Sequence, residues 1–260
     1  MRITVSIATM PGRDVNFSLR SLISQRRPPD VIFVCVCEEY RREPGARVDT
    51  AQITSHPSVR IIAGCKDNGP ATKLLGSLNA VREFGAQLLV LADDDLQYVP
   101  SALGDVEAYY ATHGLTRPSS CYVYSIVGTA IGQGADLFAM PVHHLVGIED
   151  FFVAQTTMHP ELWYHDDVLI STFFAQQRLA VRFRGSVCRT YDAEADPQNG
   201  LQHMQGRVAR DELNRRLRPF VRSVQPAPTL AETALVYGAI GFTLLIVLLA
   251  LHAAADRAAA

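Results

Sequence analysis

The 260-residue sequence has no surplus of positive charge: 24 Lys and Arg stand against 26 Asp and Glu, for a formal net charge of −2 at pH 7. Binding nucleic acid takes a basic surface that neutralises phosphates, so nucleic acid is excluded as the main partner. The five cysteines are odd in number and none forms a Cys-x-x-Cys pair, which excludes a disulfide framework. Cys35 and Cys37 lie two apart in an apolar run and share one strand face as small buried side chains, so a reducing compartment is expected. The start, MRITVSIATMPGR, lacks a signal-peptide pattern, because its apolar run is short and stops at Pro-Gly. Neither a Walker phosphate loop nor a Gly-x-Ser-x-Gly elbow occurs.

Charge is also missing between Thr233 and Ala255, around GFTLLIVLLALH. As a helix this run spans roughly 34 Å, enough to cross a hydrocarbon core of ~30 Å. A transmembrane helix is therefore expected over 230–255. It follows a basic juxtamembrane segment and Pro-containing linker over 206–229. That segment holds Arg207, Arg210, Arg215, Arg216, Arg218 and Arg222 against Asp211 and Glu212. Such a cluster places the chain's body in the cytosol, as a single-pass protein with a C-terminal anchor, and suits contact with anionic headgroups.

What is present before residue 205 is an alternation of apolar runs and helical patterns. Ile3 to Thr9, Val31 to Val36, Val59 to Ala63 and Leu88 to Ala92 read as buried strands. Asp14 to Gln25 reads as a helix, as does the stretch from Pro70 to Gly85. Later, Tyr122 to Ile126 and Leu137 to Met140 read as strands, Val168 to Gln177 as a helix, and Val181 to Phe183 with Val187 to Tyr191 as a hairpin. The pattern implies an α/β fold with a doubly wound, mostly parallel sheet over 1–205. Ligands of such sheets bind outside the carboxyl ends of the strands. Unusual residues lie there: Thr9 to Arg13, Glu38-Glu39, Lys66 to Gly69, and Asp93-Asp94-Asp95.

Three aspartates closing a buried strand repel one another, and a cation relieves that cost. In an extended segment Asp93 and Asp95 point the same way, and hard oxygen ligands suit Mg2+ or Mn2+ together with substrate phosphates. A parallel α/β unit whose fourth strand ends in Asp-x-Asp resembles the GT-A class of nucleotide-sugar-dependent glycosyltransferases (family 2-like). Further matches follow in that class's order. Gly132-Gln133-Gly134-Ala135-Asp136 stands for its glycine-rich acceptor loop, Asp166-Asp167 for its acidic pair at a helix start, and His203 for its C-terminal metal-binding His.

The resemblance implies a metal-dependent, inverting transfer of a sugar from a nucleoside-diphosphate sugar to an acceptor hydroxyl. Asp93, Asp95 and His203 would hold Mn2+ or Mg2+. Asp167 would be the base, with Asp166 orienting the acceptor or capping the helix. Thr9, Pro11 and Arg13 would line the nucleotide pocket, Glu38 would lie near the base or ribose, and Asp94 would lie on the donor side. The helix start Gly69 to Lys73 would present backbone N–H groups and Lys73 to the diphosphate.

The acceptor would be a glycan, or a lipid-linked or membrane-associated molecule. Trp163 and Tyr164 either stack on a sugar ring or pack in the core. His143-His144 with Glu149-Asp150 matches no common zinc spacing and reads as a polar loop. Two other readings are a sugar-1-phosphate nucleotidyltransferase and an inactive membrane-tethered binding module of the same fold.

Overall fold

The computed structural model describes residues 1–185, 187–190 and 210–226. Two compact units divide the chain, Met1–Gln225 and Pro226–Ala260, and the fold described is that of the first. His203 and residues 230–255 lie outside the described residues. Among those described, no helix is long and apolar enough to cross a membrane.

The apolar runs form β1 (Ile3–Thr9), β2 (Val31–Cys37), β3 (Val59–Cys65) and β4 (Leu88–Leu91). These pair in parallel, with Ile7 opposite Val34 and Val5 opposite Val90. After β5 (Gln97–Tyr98) come β6 (Ser119–Ser120), the hairpin strands β7 (Val123–Ile126) and β8 (Thr129–Gly132), then β9 (Phe138–Pro141), β10 (Arg182–Phe183) and β11 (Arg189–Thr190). The main sheet runs β10-β6-β9-β4-β1-β2-β3.

Period-2 alternation sends successive side chains to opposite faces. Ile3, Val5, Ile7, Val34 and Val90 pack against α1 (Asn16–Ile23) and α4 (Ala102–His113). Phe33, Leu89 and Leu91 pack against α3 (Leu78–Glu83) and α6 (Asp166–Gln176). Burial on both faces is what makes β2 and β4 uniformly apolar, whereas β3, expected as a buried strand, lies at the sheet edge and is largely exposed.

The sheet is mostly parallel, as expected, with β9 running antiparallel to both β4 and β6. Elsewhere the structure departs from the sequence expectation. The helix expected from Pro70 to Gly85 is two pieces, α2 (Thr72–Leu75) and α3. A Cβ at Gly76 would meet Thr72 O at 2.7 Å, Cys65 Sγ at 3.0 Å and Cys35 Sγ at 3.2 Å, so the chain presses onto the sheet there and the helix breaks.

The expected hairpin around Gly185 is absent, because β10 pairs in parallel with β6 while β11 pairs with β5. α5 (Ile148–Met158) precedes α6. Finally, α7 (Arg210–Ser223) belongs to the first unit: its Leu217, Phe220 and Val221, with Val224 beyond it, are buried against Ile126, Ile131, Val168 and Leu169.

Candidate active site

The motifs singled out in the sequence meet at the ammonium of Lys73. Ser6, a hydroxyl inside an apolar strand, donates to the Lys73 carbonyl at 2.5 Å, and Ser77 donates to the same oxygen at 2.9 Å. These bonds pin α2 onto β1 and aim Lys73 at the carboxyl end of β4. There Nζ donates to Asp93 Oδ1 at 2.6 Å and lies 3.1 Å from Asp166 Oδ2.

Lys73 is only 6% exposed. Burial opposes its charge, but Asp166, Asp93 and Asp167 outweigh that and hold its pKa well above the ordinary lysine value. Its ammonium, read from sequence as a diphosphate contact, is thus engaged by two carboxylates. Nothing in the sequence distinguishes a buried Lys73 from a solvated one on the same helix. Ser6 carried the clearer signal, a polar residue in a strand buried on both faces.

The acidic run divides between two cations. Arg13, after the Gly12 turn, donates to Asp94 Oδ1 at 2.5 Å and to Asp95 Oδ2 at 3.4 Å, whereas Asp93 goes to Lys73. The chain turns at Asp94-Asp95, so the alternation of an extended segment does not carry past Asp93. Burial raises the Asp94 pKa against the pull of Arg13. Burial and the charges of Asp93 and Asp94 push Asp95 up to about 6.

Among the described residues, no three His, Cys, Asp or Glu side chains group closely enough to cage a metal ion. What Asp93 and Asp95 offer is hard oxygen donors, and Asp95 is short of compensating positive charge with a side chain 40% exposed. That donor set fits a divalent cation which takes its remaining ligands from phosphate and water.

Across Lys73 from the acidic run, the Gly134 N–H donates to Asp167 Oδ1 at 2.8 Å. The glycine-rich segment and the start of α6 are thereby joined. A Cβ at Gly134 would lie 2.6 Å from Lys73 Nζ and 3.6 Å from Asp167 Oδ1, so glycine is required by close approach. Asp166 is buried. Asp167 is half-buried, and desolvation followed by the charge of Asp166 raises its pKa well above the usual carboxylate range, opposed by Lys73 and the Gly134 N–H.

Thr9, Pro11 and Glu38 lie on the same edge of the sheet. Thr9 is buried, and its carbonyl accepts from the Tyr40 hydroxyl at 3.1 Å. Pro11 is half-buried. Glu38 is exposed, with its N–H on Cys65 O at 3.2 Å. Trp163 is packed: Arg41 lies over its ring at 5.1 Å, and a Cβ at Gly69 would meet its carbonyl at 2.7 Å. His143 and His144 have ring centroids 3.9 Å apart, and Glu149 pairs with Arg82.

No protein-family model and no curated protein sequence matches the chain. Solved structures match it in fold. The mannosyltransferase PcManGT from Pyrobaculum calidifontis, solved with GDP-Man and Mn2+, is 17% identical over 94% of this chain and 80% of its own, at a TM-score of 0.53. Staphylococcus aureus TarS (residues 1–349), solved with UDP-GlcNAc, is 14% identical over 86% of this chain and 66% of its own, at 0.52. A cytidylyltransferase from Leptospira borgpetersenii, 11% identical over 88% and 97% of the two chains, has a TM-score of 0.44. At these identities the shared property is architecture, and by it this chain has a GT-A fold.

Proposed function

We propose that the protein is a glycosyltransferase that moves a sugar from a nucleoside-diphosphate sugar to an acceptor hydroxyl with inversion. The observation that carries this reading is the meeting of Asp93, Gly134, Asp166 and Asp167 around one buried ammonium, at the carboxyl end of β4 in a GT-A fold.

In this reading Asp167 is the general base. Its raised pKa makes it a stronger base than a solvated carboxylate, and the Gly134 N–H fixes Oδ1, so that Oδ2 takes the acceptor proton. Asp166 is a positioning residue, tied through Lys73 to Asp93. Lys73 holds the donor-side and acceptor-side carboxylates at a set separation, and Arg13 keeps Asp94 and Asp95 in place. Thr9, Pro11 and Glu38 border the space for the nucleoside. Asp93 and Asp95, with His203 by resemblance, would hold Mn2+ or Mg2+, which when bound neutralises the departing diphosphate.

The membrane reading stands beside this one. The apolar run over 230–255 anchors the chain, the catalytic unit faces the cytosol, and the acceptor is a glycan, lipid-linked or membrane-associated molecule.

The test is a screen of nucleotide sugars with Mn2+, scored by thermal stability and by released nucleotide. A donor at 100 times its Kd adds about 2.7 kcal/mol. Stabilisation with transfer supports the reading. Binding without turnover indicates an inactive binding module, and pyrophosphate release from a nucleoside triphosphate and a sugar 1-phosphate indicates a nucleotidyltransferase.

A further inference from the structure

A cavity of about 360 Å³ lies where the end of α4 meets β10. In the sheet order β6 and β9 separate β10 from β4, and none of Lys73, Asp93, Asp166 or Asp167 lines the cavity. Its wall carries Arg117, Arg182 and His113 and, among the described residues, no carboxylate. Neither guanidinium has a hydrogen-bond or ion-pair partner among the described residues. Arg117 is half-buried and Arg182 exposed, whereas half-buried Arg27 is held by Glu107 and Asp30, Arg184 by the carbonyls of Ser119 and Leu137, and Arg189 by Asp136. Two like charges facing one space repel, and an anion between them relieves that repulsion. The planar fork of arginine matches a phosphate bidentately.

Gly114, Thr116 and the aromatic residues Tyr109 and Phe183 complete the wall. Tyr109 and His113 stack with centroids 4.3 Å apart and planes 19° from parallel, and Phe183 is 63% exposed. The volume lies at the small end of the range for small-molecule sites. We infer that this cavity binds a phosphate ester carrying a ring, the chemistry shared by mononucleotides and sugar phosphates. The inference rests on Arg117, Arg182 and the aromatic wall, and stands whether or not the protein transfers sugars.

The experiment is calorimetric titration of the full chain with UMP, glucose 1-phosphate and inorganic phosphate. Arg117→Gln/Arg182→Gln is expected to weaken the two esters by at least about ten-fold, the size of losing one charge-assisted contact. Arg117→Lys/Arg182→Lys, which keeps the charge and loses the fork, falls between that variant and the native chain. Phe183→Ala weakens the esters and leaves inorganic phosphate unchanged. The tighter of the two esters identifies the source.

Arg13→Gln, at the acidic site, leaves the binding that depends on Arg117 and Arg182 intact. The inference is overturned if no probe binds at about 10 mM or if the Arg117→Gln/Arg182→Gln chain binds like the native one. It is equally overturned if only Arg13→Gln abolishes binding, which would put the ligand at the end of β4. Equal affinity for inorganic phosphate and both esters would overturn the ring.

Discussion

Any side chain at position 134 forces Lys73 to shift, because a Cβ there would stand 2.6 Å from its Nζ. Lysine tips usually swing aside, but this one is buried between Asp93 and Asp166. Gly134→Ala must therefore stretch those ion pairs or push the loop off Asp167. We expect it to lower stability by about 1–3 kcal/mol, read by urea unfolding, and to depress turnover. A native midpoint would show that Lys73 moves freely.

Lys73→Met leaves Asp166 buried beside Asp93 with no counter-charge. Breaking a buried pair from one side costs about 3–5 kcal/mol, and the part-exposure of Asp93 puts this case at the low end. Urea unfolding at pH 7 reads the loss, and adding Asp166→Asn should recover part of it.

The adjacent aspartates have different surroundings and should fail differently. Asp167→Asn is expected to lower kcat about 10²–10⁴-fold, the usual worth of general-base assistance, with donor affinity retained. Asp166→Asn removes one of the two carboxylates that hold Lys73 and should show first as a lower Tm. If Asp166→Asn carries the larger kcat loss at an unchanged Tm, the base is Asp166.

Asp95, held at about 6 by burial and by Asp93 and Asp94, keeps its proton in the folded state after the unfolded chain has lost it. Between about pH 4 and 6 this makes stability fall as pH rises, and above pH 6 the cost is constant. Asp95→Asn should therefore be more stable than the native chain at pH 7. The gain is at most about 1 kcal/mol, because 40% of the side chain is exposed and screened. The same variant should lose any rise in Tm that Mn2+ gives the native protein. Native turnover undiminished in EDTA would remove the metal from the mechanism.

A chain ending at Gln225 should fold and stay soluble, since Leu217, Phe220, Val221 and Val224 complete a core shared with α6 and β8, and Gln225 donates to Val127 O and Thr129 Oγ1 at 2.9 Å. A chain ending at residue 209 loses all four, each worth about 1.5–3 kcal/mol when fully buried. It should expose apolar surface, read by dye binding. Equal behaviour of the two chains would show that α7 contributes no stability.

The central strands were legible because burial on both faces writes Val31 to Cys37 as an unbroken apolar run and Ile3 to Thr9 as one broken only by small hydroxyl residues. Strand direction has no such signature: Phe138 to Pro141 looks the same either way, and its reversal follows from where its connections begin and end. Likewise the acidic run and the pair at α6 were visible as motifs. Their link was not, because it depends on a lysine whose burial is decided by Ser6 on another element.

Trp163 is the only tryptophan in the chain, and it sits under Arg41 and against Gly69, both of whose N–H groups donate to Asp67 at 2.7 and 2.8 Å. Three residues beyond it α6 begins with Asp166, and three beyond Gly69 α2 begins with Thr72. The protein thus carries an intrinsic fluorophore at the seam between the segment that bears Lys73 and the one that bears Asp167. Its emission wavelength and quenching by the overlying guanidinium report on that seam without any label, so occupancy of the site can be followed optically before a substrate is known.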